Sequence, residues 1–180
     1  QILPTITGIV AANESAYQAY IDANPTMFSA PATAAEVQAM VTAVNAQVAE
    51  QAASNAVLTQ IGNEGDAPNT VTSVVTVAQL GQILPAITGV VAANQTAYQV
   101  YIDANPTLFS SPATAAEVQA MIDVVNAQVA AQAASDAVLT QIGNEGDAPN
   151  TVTSTVTVAQ LGQILPTITG IVAANESAYQ

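Results

Sequence analysis

One apolar stripe dominates the pattern of hydrophobic and polar positions along this chain. Between residues 115 and 142, apolar side chains recur at three- and four-residue steps, the period of a helix with one buried face. The stripe contains Val118, Met121, Ile122, Val125, Val129, Ala133, Ala137, Val138 and Ile142. Thr114 and Glu117 before it have capping-box spacing, and Gly143 after it predicts the C-terminal cap. The pattern predicts a helix of about 28 residues, ~42 Å long at 1.5 Å per residue.

Two shorter helices are predicted ahead of the long one. Thr76 and Gln79 form a second capping box, so a short helix is expected over residues 77–84, where Pro85 prevents simple continuation. A Thr-Gly turn follows, and a medium helix is expected over residues 90–104, before an Asn-Pro pair. The predicted buried face of this medium helix carries Val91, Asn94, Tyr98, Tyr101 and Ile102.

The segment after the long helix has a different period. Over residues 151–158, every second position is Thr, and Val or Ser stands between them, which is typical of a strand. A single strand per repeat has no partner within its own unit, and an isolated strand is not stable. The sequence therefore predicts an extended Thr/Val connector, with a strand that pairs between chains or repeats as the alternative.

The chain contains an internal sequence repeat. The tetrapeptide Gln-Ile-Leu-Pro begins at residues 1, 82 and 163, so the period is 81 residues. Residues 1–81 and 82–162 differ at 13 positions and are identical at 68, and residues 163–180 repeat residues 1–18 without a change. Such close identity between neighbours is typical of tandem arrays whose units share one repeated task.

The predicted fold class is all-α, with tandem 81-residue repeats. Each repeat is expected to be a small bundle of three helices (short, medium and long), joined to the next by the connector. Residues 1–75 then form a first repeat truncated at its N-terminus, 76–156 a complete repeat, and 157–180 the start of a third. We expect these residues to be a window on a longer array; a chain cut at arbitrary positions is the alternative.

Charge excludes several classes of partner. The chain has 13 acidic residues and no Lys, Arg or His, for a net charge of −13. Nucleic-acid binding and docking on anionic lipid both require cationic side chains, so neither partner is expected. No run of eighteen apolar residues occurs, and therefore no membrane insertion is predicted. The expected partners are other copies of the repeat, in cis and between chains.

Catalysis is not expected either. The usual general bases, nucleophiles and oxyanion-stabilising cations are missing from the composition. A pair of carboxylates of the glycosidase type remains conceivable, but such enzymes usually also present aromatic platforms, and this chain has only two Phe, five Tyr and no Trp. Without Cys there are no disulfides or zinc–thiolate sites. We predict no catalytic or cofactor-binding residues.

Acidic clusters after the long helices are the candidate metal site. Glu64 and Asp66 in the first repeat, and Glu145 and Asp147 in the second, stand beside Asn and Gly at the predicted helix end. Calcium prefers such oxygen ligands, and its binding would stiffen the connector. The spacing differs from the twelve-residue calcium loop, so a solvated helix-end loop is the favoured interpretation.

Paired tyrosines on the medium helix are the candidate ligand-stacking patch. Tyr17 and Tyr20 recur as Tyr98 and Tyr101. Their position on the predicted apolar face favours packing in the core or between units over ligand binding.

Three segments carry a resemblance to a known class. Thr-Val-Ala-Gln-Leu at 76–80, Ile-Thr-Gly-Val at 87–90 and the Ala-Thr-Ala-Ala-Glu-Val-Gln-Ala-Met-Ile-Asp run at 113–123 resemble tandem helical repeats of large bacterial surface and biofilm-type adhesins. The match covers about half of each repeat, and Val41-Thr42 departs from it where the second repeat has Ile122-Asp123. The resemblance implies an extracellular or cell-surface location and a stalk or fibre role, with no catalytic residues.

These observations together predict a structural, non-enzymatic protein. The expected function is an extracellular repeat that forms a stalk, spacer or filament of a bacterial surface or biofilm matrix assembly. The alternatives are a calcium-responsive module, in which the acidic connectors order only with the ion, and a receptor- or glycan-binding adhesin module.

Overall fold

The computed structural model describes residues 5–65, 70–146 and 153–180, and this part of the chain is all-α. No β-strand occurs within those ranges. The α-helices are α1 Glu14–Ala23, α2 Ala34–Glu64, α3 Val77–Leu80, α4 Gln95–Ala104, α5 Ala115–Glu145, α6 Val158–Leu161 and α7 Glu176–Tyr179. A short 3₁₀ turn precedes each of α1, α4 and α7. The all-α character of the predicted fold is therefore confirmed, and the described part of the connector, residues 70–76 and 153–157, contains neither helix nor strand.

The long helices begin where the sequence predicts and end later. In α5 the Glu117 backbone N–H donates to Thr114 Oγ1 at 3.2 Å, and the Thr114 N–H donates to a Glu117 carboxylate oxygen at 2.7 Å. The prediction that Gly143 caps this helix is wrong. The helix continues to Glu145, and Gly146 closes it by donating its N–H to the Ile142 carbonyl at 2.8 Å. With 31 residues, α5 is ~47 Å long.

The shorter helices are shorter than predicted. The capping box of Thr76 and Gln79 is present, but α3 ends at Leu80 rather than at residue 84. The chain leaves the helix there because the Leu84 N–H donates to the buried Ser54 hydroxyl of α2 at 2.7 Å, a bond that continuation of the helix would not allow. The α-helical part of the medium helix likewise begins at Gln95 and not at residue 90, since the preceding residues are extended or form the 3₁₀ turn.

The central core combines segments from two repeats. Val57 and Ile61 come from the C-terminal half of α2, whereas Val118, Met121, Ile122 and Val125 come from the N-terminal half of α5. Between them in sequence lie the connector, α3, α4 and the loop before α5, which contribute Val75, Leu80, Ile83, Tyr98, Ile102, Phe109 and Ala113. The boundary placed between residues 75 and 76 falls inside this core. The packing unit is therefore offset from the sequence unit by about half a long helix.

The middle of each long helix contributes no buried residue to a core. Every side chain over residues 46–52 of α2 and 127–133 of α5 is exposed, including Val129. The predicted apolar stripe is thus interrupted at Val129 and Ala133, where the expectation of a continuous buried face is wrong. Four of the seven positions in 127–133 are Ala, the residue with the highest helix propensity. Intrinsic propensity therefore stabilises the helix where no buried side chain does. We call residues 46–52 and 127–133 the helix bridges.

A glycine allows the closest approach in the central core. A methyl group at Gly62 of α2 would lie 2.7 Å from the Ser110 carbonyl oxygen and 2.9 Å from the Ala113 nitrogen. The same contact includes a backbone hydrogen bond, in which the Ala113 N–H donates to the Leu58 carbonyl at 3.0 Å. At Gly143, the equivalent position 81 residues later, a methyl group would meet no atom within 4 Å. The two glycines therefore occupy equivalent positions in their helices, but only Gly62 has a loop packed against it.

This difference predicts opposite effects of one substitution. Gly62→Ala should destabilise the chain by about 1–3 kcal/mol, because the loop backbone has to move away from α2. Gly143→Ala should instead stabilise it by up to about 1 kcal/mol, since Ala is the better helix former at an open position. Chemical denaturation of the two variants measures both values. Equal effects of the two substitutions would contradict the assigned packing of α2 against residues 110–113.

Candidate functional site

A buried tyrosine organises a polar network beside the central core. Tyr98 is completely buried, and its hydroxyl donates to Asn126 Oδ1 at 2.7 Å while accepting from the Val91 N–H at 3.0 Å. Asn126 also accepts from Asn94 Nδ2 at 2.8 Å and donates to the Gly89 carbonyl at 2.8 Å. Gly89 can occupy this turn because its φ of 72° lies in the left-handed region that favours glycine.

The same network recurs in the first repeat. Tyr17 donates to Asn45 at 2.6 Å, Asn13 donates to the same oxygen at 2.8 Å, and Asn45 donates to the Gly8 carbonyl at 2.7 Å. The prediction that these tyrosines belong to the core is confirmed for Tyr98. Tyr17 and the second members of each pair, Tyr20 and Tyr101, are half-buried.

Glu64, which the sequence offers as a candidate calcium ligand, joins the connector to the end of α2 by hydrogen bonds. It is only 4% exposed, and its carboxylate accepts from the Ser73 hydroxyl at 2.7 Å, the Val74 N–H at 3.3 Å and Gln60 Nε2 at 2.9 Å. Hydrogen bonds of this kind to a carboxylate are shorter and stronger than bonds between neutral groups. The side chain therefore holds Ser73 and Val74 of the connector beside the end of α2.

Glu145 makes the equivalent bonds in the second repeat. It accepts from the Ser154 hydroxyl at 2.6 Å, the Thr155 N–H at 3.3 Å and Gln141 Nε2 at 2.9 Å. Repetition of the arrangement at both helix ends indicates that it belongs to the repeat and not to one chance conformation.

Two glutamines extend this arrangement to the short helix. Gln60 Oε1 accepts from Gln79 Nε2 at 2.7 Å, and Gln79 is the residue that caps α3 through Thr76. The pair Gln141 and Gln160 repeats the bond at 2.8 Å. Sequence reasoning missed these glutamines as connecting residues; their signal was a Gln four residues before the terminal Glu of each long helix.

The structure describes only half of the predicted calcium site. Asp66 and Asp147 lie outside the described residues, so their relation to Glu64 and Glu145 is not shown. Among residues 5–65, 70–146 and 153–180, no group of three or more acidic side chains is placed to hold a metal ion. Calcium binding therefore stays the alternative interpretation of these acidic residues.

Hydrogen bonds hold three glutamates in their charged form. The Thr33 backbone N–H, followed by the Ser29 hydroxyl, lowers the pKa of Glu36 to about 2. For Glu117, partial burial acts to raise the pKa, but bonds from Thr114 and Ser110 outweigh it and lower the value. The Ser154 hydroxyl and the Gln141 amide lower the pKa of Glu145. In a chain without cations, these carboxylates are stabilised by hydroxyl and amide donors instead.

Two open clefts lie at the two ends of the described structure. The head cleft, of about 520 Å³, is lined by Ile21, Asp22, Pro25, Phe28, Ala32, Val37 and Met40. The tail cleft, of about 490 Å³, has Ile142, Glu145, Gly146, Val156, Leu161 and Tyr179 among its lining residues. Both linings are largely apolar, and no titratable pair in them resembles a catalytic arrangement. What these surfaces offer is a place for other apolar side chains.

Comparison with known protein families, curated proteins and solved structures finds no match to this chain. Within the described residues, no helix combines the length and the apolar character that crossing a bilayer requires. The candidate site is therefore defined by its own geometry, the hydrogen bonds that join the connector and the short helix to the end of each long helix.

The lowered pKa of Glu36 predicts acid sensitivity. Its carboxylate stabilises the folded state above its ordinary pKa of 4.5, and this contribution is lost as the pH falls from 4.5 to about 2. Thermal melts of the natural chain and of Glu36→Gln should therefore differ most near neutral pH and converge near pH 2. Because acid also relieves repulsion among the carboxylates, the difference between variants is the quantity to measure.

Glu50, exposed on the helix bridge of α2, is the matched control. Glu50→Gln should shift the melting temperature little, and by a similar amount at each pH. A Glu36→Gln difference that stays constant from neutral to acid pH would contradict the role given to the carboxylate.

The contacts of Glu64 and Glu145 predict no response to calcium. Their oxygens already accept hydrogen bonds from the connector, so the melting temperature should be equal in excess calcium and in chelator. A bound ion present at 100 times its Kd would add about 2.7 kcal/mol to the unfolding free energy, an effect that a melt detects easily. A rise in calcium that disappears in Asp66→Asn or Asp147→Asn would establish the calcium-responsive alternative.

Proposed function

We propose that this chain is a structural repeat protein that forms a stalk, spacer or fibre of an extracellular bacterial surface or matrix assembly. Its 81-residue units are small helical bundles of one short, one medium and one long helix. The number of units sets the length of the array. The observation that carries the proposal is the sharing of α2 between two cores, since its two halves pack in different ones.

Sharing a helix between cores connects neighbouring units more firmly than a flexible linker does. The N-terminal half of α2 contributes Met40, Val41 and Val44 to one core, and its C-terminal half contributes Val57 and Ile61 to the next. Relative movement of the two cores then requires the helix bridge between them to bend or unfold. A repeat joined in this way transmits orientation from unit to unit, which is what a stalk or spacer requires.

Several features of the chain support a role without chemistry. The composition has no His, Cys, Lys or Arg, and the carboxylates with lowered pKa values serve as helix caps or fasteners. Near-identity of the repeats preserves the same packing contacts in each copy. A net charge of −13 keeps such an array soluble and disfavours binding to nucleic acid or anionic membranes.

The extracellular location rests on the resemblance to bacterial surface repeats and on the missing cationic residues. Trypsin-like proteases cleave after Lys or Arg, and no such residue occurs in these 180 positions. Resistance of this kind suits a protein exposed outside the cell.

A proline in the helix bridge tests the mechanical role of the shared helix. Ala130→Pro removes an intrahelical hydrogen bond at an exposed position and costs about 3 kcal/mol of helix stability. Small-angle scattering on arrays with increasing numbers of repeats should show a maximum dimension that grows by a constant increment per unit. The same array carrying Ala130→Pro in each unit should be shorter and more variable in length.

Ala131→Glu is the matched control, because Glu50 occupies the equivalent position in the first repeat. It should leave the scattering curve unchanged. Arrays that fail to lengthen with repeat number, or a proline variant that scatters like the natural array, would contradict the proposal.

A further inference from the structure

The two helix bridges are the links between successive cores. Among the residues that the structure describes, each buried cluster lies wholly on one side of a bridge. The hydrogen bonds between elements do the same: Tyr17 bonds to Asn45, before residues 46–52, and Leu84 bonds to Ser54, after them. A load that pulls two neighbouring cores apart is therefore carried by the single helix between them.

The bridges are exposed with a neighbouring repeat on either side. The bridge of α2 is followed by more than one full period of the chain, and the bridge of α5 is preceded by more than one. Every residue of both bridges is exposed. Because the two bridges are equivalent positions 81 residues apart, neither a following nor a preceding repeat covers them. Their exposure is a property of the repeat and does not depend on where the chain begins or ends.

Opening a bridge costs less than opening a core. The central core buries thirteen described residues, whose apolar surface would meet water if the core came apart. The turn after α3 borders the bridge of α2 but buries none of its side chains. Unwinding a bridge therefore exchanges helical hydrogen bonds for bonds to water and exposes no buried side chain. Since segments with few buried contacts have the lowest local stability, the bridges should yield first under tension.

The packed halves on either side make this unwinding cooperative and reversible. Interrupting a helix in its interior creates two new helix ends at once, so the bridge opens as a unit. The halves of α2 that hold Val44 and Val57 in their cores stay helical and provide the template on which the bridge rewinds. The seven residues of a bridge lengthen from about 1.5 Å to about 3.4 Å each, so one open bridge adds ~13 Å.

We propose that the helix bridges are extensible elements, which keep the array stiff at rest and lengthen it reversibly under load before any core opens. This inference rests on the proposed structural function. It adds a response to tension, the force that a stalk or fibre carries when its two ends are pulled apart.

Pulling on the chain between two chosen positions tests the inference. The chain has no Cys, so Thr42→Cys and Asp136→Cys provide unique attachment points at exposed positions, with both bridges and the central core between them. In optical tweezers, this variant should gain about 27 Å beyond its elastic stretching, from two open bridges, before the central core opens. The gain should reverse on relaxation without hysteresis, whereas opening of the core releases many more residues in one larger step.

A second pair of attachment points is the matched control. Asn55→Cys and Asp123→Cys are also at exposed positions, but both lie between the two bridges. Force applied there passes through the central core and through neither bridge. This variant should show the opening of the core without the reversible extension that precedes it.

Glycine substitutions test whether the bridge sequence sets the response. Ala49→Gly together with Ala130→Gly should lower the force at which the reversible extension occurs, because Gly is less favourable than Ala in an exposed helix interior. The force that opens the central core should not change. Ala120→Gly, at an exposed position in the packed half of α5, is the control and should leave the reversible extension as it is.

Amide hydrogen exchange provides a measurement without load. In an α-helix the N–H groups of residues 50–56 donate to the carbonyls of bridge residues 46–52. Local opening of the bridge should let these amides exchange at least about tenfold faster than those of residues 57–61, whose helical turn is packed in the central core.

Three outcomes would overturn the inference: no reversible extension with attachment at residues 42 and 136, an equal extension with attachment at residues 55 and 123, or bridge amides that exchange as slowly as those of residues 57–61. Failure here is distinguishable from failure of the proposed function. Arrays whose bridges do not yield would still lengthen by a constant increment per repeat in the scattering experiment.

Discussion

The close packing of the end of one long helix against the loop that begins the next is the contact on which the rest of this structure depends. Gly62 allows the backbone at Ser110 and Ala113 to approach α2, and the Leu58 carbonyl receives a hydrogen bond from that loop. Phe109 then covers the helix end. The contact joins segments from neighbouring repeats, so residues 76–156 by themselves lack Val57 and Ile61 of the central core.

Polar groups in this chain are satisfied without any cation. Threonine and serine hydroxyls, backbone amides and glutamine side chains donate hydrogen bonds to Glu117, Glu64 and Glu145 at the helix starts and ends. Among the described residues, no buried side-chain nitrogen or oxygen lacks a hydrogen-bond partner. Such bonds hold the connector against the C-terminal end of the long helix. The tyrosine–asparagine network holds the turn at Gly89 against the N-terminal half of α5. The apolar contacts set which segments meet, and the polar fasteners set the register in which they meet.

Local signals in the sequence predicted the elements well and their ends less well. Thr114 with Glu117, and Thr76 with Gln79, identified helix starts because a capping box is complete within four residues. The ends were harder, since Gly143 has the composition of a cap while the structure places the cap at Gly146. At Gly62, the equivalent position in α2, the glycine has a tertiary reason, the approach of the loop at residues 110–113, which no local pattern reveals. The sequence offered the acidic helix ends as a candidate calcium site, but it did not predict the hydrogen bonds of Glu64 to Ser73 and Val74, because no local pattern shows that these positions lie close together.

By itself, the sequence determined the period of 81 residues, the helical class, the helix starts and the lack of Lys, Arg and His. Each of these depends only on residue identity and on spacing over a few residues or one period. Only the tertiary structure decided which core each half of a long helix enters. The apolar stripe looks continuous from Val118 to Ile142, and periodicity carries no information about which partner covers which turn. The exposed bridge at residues 127–133 became visible only once both flanking cores were in place. The physical reason is that helix formation is decided over a few residues, whereas burial is decided by segments that lie far apart along the chain.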